Sequence, residues 1–146
     1  MASDAVTLIM NDHRVMEQLF ERLRAGSGDR QLLLDEIAAR LTAHSHAEEL
    51  QVYPSLSTDE AHHGADEHHE AERMLHDLQR MGPDDEGFAD RLDDFIATVA
   101  NHIEEEETTV LPALRDAVDD AKLIEIGAAF ERVRLEELAV AGISVS

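Results

Sequence analysis

His44, Glu48, His102 and Glu106 are the residues of this chain whose types and spacing best suit chemistry. They fall in two matching stretches, His44-Ser45-His46-Ala47-Glu48-Glu49-Leu50-Gln51-Val52-Tyr53-Pro54 and His102-Ile103-Glu104-Glu105-Glu106-Glu107-Thr108-Thr109-Val110-Leu111-Pro112. Both read H-x-x-x-E-E-x-x-V-x-P. A histidine and a glutamate four apart stand one above the other on one helix face. In both stretches that face is also the apolar stripe. Ile37, Leu41, His44 and Glu48 step by four, three and four, and Phe88, Leu92, Phe95, Val99, His102 and Glu106 keep the same rhythm. A carboxylate buried on such a stripe is costly unless a cation faces it. Lys122 is the only lysine and few arginines lie near these stripes, so a metal ion is the favoured partner. Imidazole with carboxylate suits iron, manganese or zinc.

The elements that must position these groups are helices. Asp4 to Ala25 carries Ile9, His13, Met16, Phe20 and Leu23 on one face, and Asp59 to Met81 carries His68, Ala71, Leu75 and Leu78. With Asp29 to Tyr53 and a fourth segment from Phe88, these predict an all-α, up-down-up-down four-helix bundle. Gly26-Ser27-Gly28, Tyr53-Pro54 and Gly82-Pro83-Asp84-Asp85 mark the breaks, and Pro112 interrupts the fourth segment. A further helix near 119–140, with Leu123, Ile126, Phe130, Val133 and Leu138, packs outside the bundle or serves an interface. The expectation is one domain over 1–146, the bundle spanning 4–118. The inward faces converge on His13, His44 with Glu48, His68, and His102 with Glu106, a set large enough for two ions.

Composition narrows the function classes. The chain of 146 residues has 33 acidic and 12 basic residues, a formal charge of −21. Such a surface repels nucleic acid and anionic membranes and attracts cations. With no cysteine, thiolate metal sites, disulfides and cysteine nucleophiles are excluded. No apolar run reaches membrane-spanning length and no signal peptide is evident, so a cytoplasmic protein is expected. Of the nine histidines, His62, His69 and His76 form a solvated stripe and His46 points to the rim. Tyr53 is expected to pack, the methionines to fill the core, and Glu49 and Glu107 to orient imidazole N–H groups.

Asp12-His13, His44-x-x-x-Glu48-Glu49 with Tyr53-Pro54, Glu67-His68, and His102-x-x-x-Glu106-Glu107 with Pro112 together resemble the hemerythrin-like, HHE cation-binding family. The resemblance covers Ala5 to Pro112. It implies a non-heme diiron centre with an oxo or hydroxo bridge, His13, His44, His63, His68 and His102 as terminal ligands, and Glu48 and Glu106 as bridging carboxylates. That set leaves one position open on a pair of six-coordinate irons. Two features depart from the oxygen-carrying hemerythrins. Their last carboxylate is an aspartate five residues after its histidine, where Glu106 is a glutamate four after His102. His63 and His68 are five apart and diverge by about 140° on an ideal helix, so a π-bulge or a loose helix start at Gly64 is expected to turn both inward.

The resemblance implies a protein that binds or reacts with O2 or hydrogen peroxide, with catalase- or peroxidase-like turnover, as a monomer or weak homo-oligomer. Storage or sensing of O2 or NO without turnover is the alternative, with iron buffering as a third. Ferritin-like sites place glutamate before histidine in Glu-x-x-His, and only Glu60-x-x-His63 fits that order.

Overall fold

The computed structural model describes residues 2–82 and 84–144, and no strand occurs among them. Pro83, expected to help end the third segment, lies outside the described residues. Helix α1 spans Ala5–Arg24, α2 Arg30–Gln51, α3 Thr58–Arg80, α4 Phe88–Glu105, α5 Leu111–Ala117 and α6 Asp120–Val140. None is long and apolar enough to cross a membrane.

Each start has a local cause. Asp4, Asp29, Ser57 and Asp119 accept hydrogen bonds from Thr7, Leu32, Glu60 and Lys122 N–H groups, occupying donors that the first helical turn leaves free. Gly26 ends α1 at φ 72°, where Ser27 N–H donates to Arg22 O in a Schellman closure. Helix α3 begins just before the expected Asp59, because Ser57 caps it.

Pro112 does not interrupt the fourth rod. The chain passes from α4 through a π-helical turn, Glu106–Val110, directly into α5. Proline lacks the N–H for the next ladder bond, and its ring crowds the carbonyl four residues back. Widening the ladder accommodates both: Leu111 N–H donates to Glu106 O, five residues back. The irregular turn expected at His63–His68 therefore lies here instead, and α3 is regular throughout.

Helix α1 packs on α2 and α4, and α3 on the same two, which closes the four-rod bundle. Helix α6 lies along α1 and α2, burying Leu123, Ile126, Phe130 and Leu138. The close approach depends on Gly127, where a Cβ would stand 2.8 Å from Ala5 N.

The core has two apolar layers. One contains Met16, Phe20, Leu41, Ala71, Leu75, Phe95, Val99 and Ile103. The other contains Ala5, Ile9, Ala47, Val52, Tyr53, Leu111, Leu114 and Phe130. His13 falls in sequence between Ile9 and Met16, His44 between Leu41 and Ala47, and Glu106 between Ile103 and Leu111. The polar groups thus form a belt between two hydrophobic ends.

Candidate metal centre

Burial shows which of the seven expected ligands converge. His13, His44, Glu48, His68 and Glu106 are buried, and His102 is largely so. Glu48 Oε1 lies 2.8 Å from His44 Nε2 and 3.3 Å from His68 Nε2. Glu106 Oε1 lies 3.1 Å from His13 Nε2, and its Oε2 lies 3.5 Å from His102 Nε2. Each central carboxylate therefore stands between one histidine of the α1/α2 side and one of the α3/α4 side. Glu48, His68, His102 and Glu106 form one group able to hold a metal ion, and His13, His44 and Glu106 form another, with Glu106 common to both.

His63 is not brought to this belt. Its side chain is 57% exposed and pairs with Glu67 and Glu105. In a regular α3 the residue one turn before His68 is Gly64, which takes the buried position. A Cβ at Gly64 would stand 2.5 Å from the Tyr53 hydroxyl, so tyrosine fills the space a side chain there would need. Tyr53 is more than packing. Its oxygen lies 3.3 Å from His68 Nε2 and its ring stacks on the imidazole at 12°. Burial, reinforced by Glu48 and Glu106, pushes the phenol above its usual range, so it holds its proton.

The outer nitrogens explain the orientation of the inner ones. His13 Nδ1 lies 2.7 Å from Glu107, His44 Nδ1 2.6 Å from Asp12, His68 Nδ1 3.1 Å from Glu49, and His102 Nδ1 3.0 Å from Glu67. These contacts run around the bundle. An acid on α1 holds a histidine of α2, α2 holds α3, α3 holds α4, and the π-turn after α4 holds α1. Burial opposes ionisation of Asp12 and Glu107, but hydrogen bonds from His44 and His13 outweigh it, with Arg134 and Arg14 assisting. The hydrogen bond from His68 holds Glu49 low as well. An ionised carboxylate only accepts, so each Nδ1 carries the donated proton and each Nε2 faces the belt.

The inner atoms lack hydrogen-bond partners. Nε2 of His13, His44 and His102, and both carboxylate oxygens of Glu48 and Glu106, are buried and out of hydrogen-bond alignment despite their short separations. Such groups normally find partners. Burial disfavours the charged forms, yet Glu48 and Asp12 raise His44 well above the ordinary imidazole range, and Glu106 raises His102 to about 9. Burial would raise Glu48, but His44 and His68 hold it well below its usual range. A cation between these lone pairs satisfies all of them at once, so this donor set fits a metal of the imidazole-and-carboxylate class.

Glu49 and Glu107 take the orienting roles their positions suggested. The parts the sequence reading missed are Asp12 toward His44, Glu67 toward His102, and Arg134, which donates to Asp12 at 3.4 Å from α6. A signal was present: each of these acids immediately precedes an inward-facing histidine. His46 is exposed and bonded to Glu137. His69 and His76 border a shallow depression on the outside of α3 with Arg73 and Arg80. It is wider than any space at the belt, but no buried donor points into it. The small cavity that matters holds about 60 Å³ and is lined by Tyr53, Gly64, Glu67, His102 and Glu106, among others.

Residues 4–114 match the profile of the hemerythrin HHE cation binding domain. The crystal structure of a hemerythrin HHE cation binding domain-containing protein from Mycobacterium kansasii superposes with a TM-score of 0.80 at 27% identity, covering 96% of this chain and 94% of that one. An uncharacterized hemerythrin-like protein of Schizosaccharomyces pombe is 24% identical over 135 residues, 86% of this chain and 66% of its own length. A protein of Nostoc named DNA nickase is 29% identical over 118 residues, 75% of this chain and 33% of its own length. The match thus spans about two thirds of one curated relative and one third of the other.

Proposed function

The chain belongs to the hemerythrin HHE cation-binding domain family, and from that premise we propose that it holds two iron ions and uses them to react with hydrogen peroxide or O2. In this reading His13 and His44 would hold one ion, His68 and His102 the other, with Glu48 and Glu106 placed between them to be shared. The observation that carries it is that three imidazole Nε2 atoms and both carboxylates are buried without hydrogen-bond partners, and with His68 they form two histidine pairs about two shared carboxylates.

Charge favours cations at the belt. With neutral imidazoles, six carboxylates (Asp12, Glu48, Glu49, Glu67, Glu106 and Glu107) face two guanidiniums, Arg14 and Arg134, which also pair with Glu17 and Glu131. The donors also favour iron, manganese or zinc over the softer metals that thiolates select, and redox turnover restricts the choice to the first two.

Iron ions held there supply the electrons that reduction of peroxide or O2 requires. The chain's own residues do the rest. The four Nδ1 contacts fix the imidazole planes before binding, so little reorganisation accompanies loading. The two apolar layers close the belt at both ends and leave the His102 side as its approach. The cavity beside His102 and Glu106 accepts a molecule a few atoms large, and Tyr53 keeps a proton on an oxygen at its wall. With His63 outside the belt, the protein supplies four imidazoles rather than five. More positions are then open to small molecules, which favours turnover over reversible carriage.

The test is peroxide consumption by iron-loaded protein, metal-free protein and the His102→Ala/Glu106→Ala variant. The reading predicts consumption by the first alone. Equal rates in all three contradict it, and a reversible optical change on cycling O2 without consumption identifies storage instead.

A further inference from the structure

His63 pairs with acids from two helices at the mouth of the cavity lined by both Glu106 and His102. His63 Nε2 lies 3.2 Å from Glu67 Oε1 on α3 and 2.9 Å from Glu105 Oε1 at the end of α4. The three donor atoms converge closely enough to hold one metal ion. One imidazole needs only one carboxylate for an ion pair, so the second leaves this cluster net negative. Glu67 also faces inward, for the same oxygen lies 3.0 Å from His102 Nδ1.

Behind the cluster, the cavity ends on Glu106, whose carboxylate is buried and without a hydrogen-bond partner. Of the six converging groups, His102 is the most exposed, its side chain 15% accessible where the others are at most 3%. On the opposite side α6 closes the belt, with Phe130 edge-on to His44 at 5.6 Å and Arg134 on Asp12. Solvent therefore meets the belt on the His102 side, where His63 and Glu105 stand.

We propose that His63, Glu67 and Glu105 form a second, surface cation site that captures a divalent transition-metal ion at the cavity mouth and passes it to Glu106 and His102. The proposal rests on the buried cluster being a metal centre. A nitrogen and two carboxylate oxygens bind such an ion less firmly than the buried set, so the gradient runs inward. Glu67 can face the ion at either end of the step without leaving its helix position.

The experiment mixes two equivalents of Co2+ alone with metal-free protein, follows uptake by stopped-flow visible absorption, and measures the cobalt retained per chain after desalting, which removes ions held only at the weaker surface site. His63→Ala/Glu105→Gln should load about ten-fold more slowly than wild type, the scale on which local charge steers association, yet reach the same final content. His62→Ala/Glu104→Gln makes the same changes at exposed positions one residue away and should load like wild type. Loading of the first variant at the wild-type rate overturns the proposal. Equal slowing in both variants also overturns it, because the general negative field is then responsible. A lower final content in the first variant overturns it too, by placing His63 in the centre itself. Failure of the wild type to take up Co2+ is a separate result that sinks the metal-centre reading underneath.

Discussion

Asp12 illustrates how a residue that need not touch a metal governs the groups that would. Its carboxylate fixes the His44 ring through Nδ1 and is itself anchored by Arg134 from α6. Asp12→Asn keeps the shape but weakens the acceptor. Metal affinity should fall by about 10- to 100-fold, measured by competition with a chromophoric chelator. Tyr53 belongs to the cavity wall, and Tyr53→Phe should retain the metal content while slowing peroxide consumption by roughly 10²-fold, the loss expected when a positioned hydrogen-bond donor is removed. At this scale the site was largely legible. His44, Glu48, His102 and Glu106 announce themselves because ionisable groups recur at helical spacing on apolar stripes. His63 was misplaced because the five-imidazole pattern outweighed its five-residue offset from His68. The offset was the better guide, since α3 stays regular and Gly64 takes the inward position. The Tyr53–Gly64 contact joins two elements, and nothing local to either residue encodes it.

Helix ends and crossings carry their own consequences. Asp4 caps α1 through Thr7 N–H at 2.8 Å and faces Arg115 at 3.4 Å. Asp4→Ala should cost about 1 kcal/mol, read from the urea midpoint. Partial burial would raise the Asp4 carboxyl, but Thr7 and Arg115 outweigh it and hold it below 3.8. A depressed folded-state value means the contribution is fully present above 3.8 and is lost as pH falls through the lower value. The difference between wild type and Asp4→Ala should therefore be constant near neutrality and shrink in strong acid. Gly127→Ala pushes a methyl against the backbone of Asp4 and Ala5, which cannot rotate away as a side chain can. It should destabilise by about 1–3 kcal/mol, the usual cost of overpacking. Helix order and extent were readable from caps and apolar periodicity. The π-turn was not, because Pro112 signals a disturbance without saying whether the helix stops or widens. Nor could the carboxylate–imidazole ring be assigned, since an acid beside a histidine gives no sign of which neighbouring helix it will reach.

The whole molecule is two hydrophobic ends joined through a charged belt, in a chain of net charge −21. Without metal, the Glu48 carboxylate stays charged inside the core against a His44 imidazole held well above its ordinary range. Loading should raise the thermal midpoint, and stripping with a chelator should lower stability by about 4 kcal/mol for each ion bound when free metal had stood a thousand-fold above its dissociation constant. Scanning calorimetry of loaded and stripped protein checks this. The central claim, that four imidazoles and two bridging carboxylates grip a pair of irons, is met most directly by metal analysis with an optical spectrum on the purified chain. Two irons per chain, falling together in His44→Ala/Glu48→Ala, with ferric charge-transfer absorption in the near ultraviolet, is the predicted result. A single ion that survives that double substitution, or a fully folded chain that takes up no iron, contradicts it.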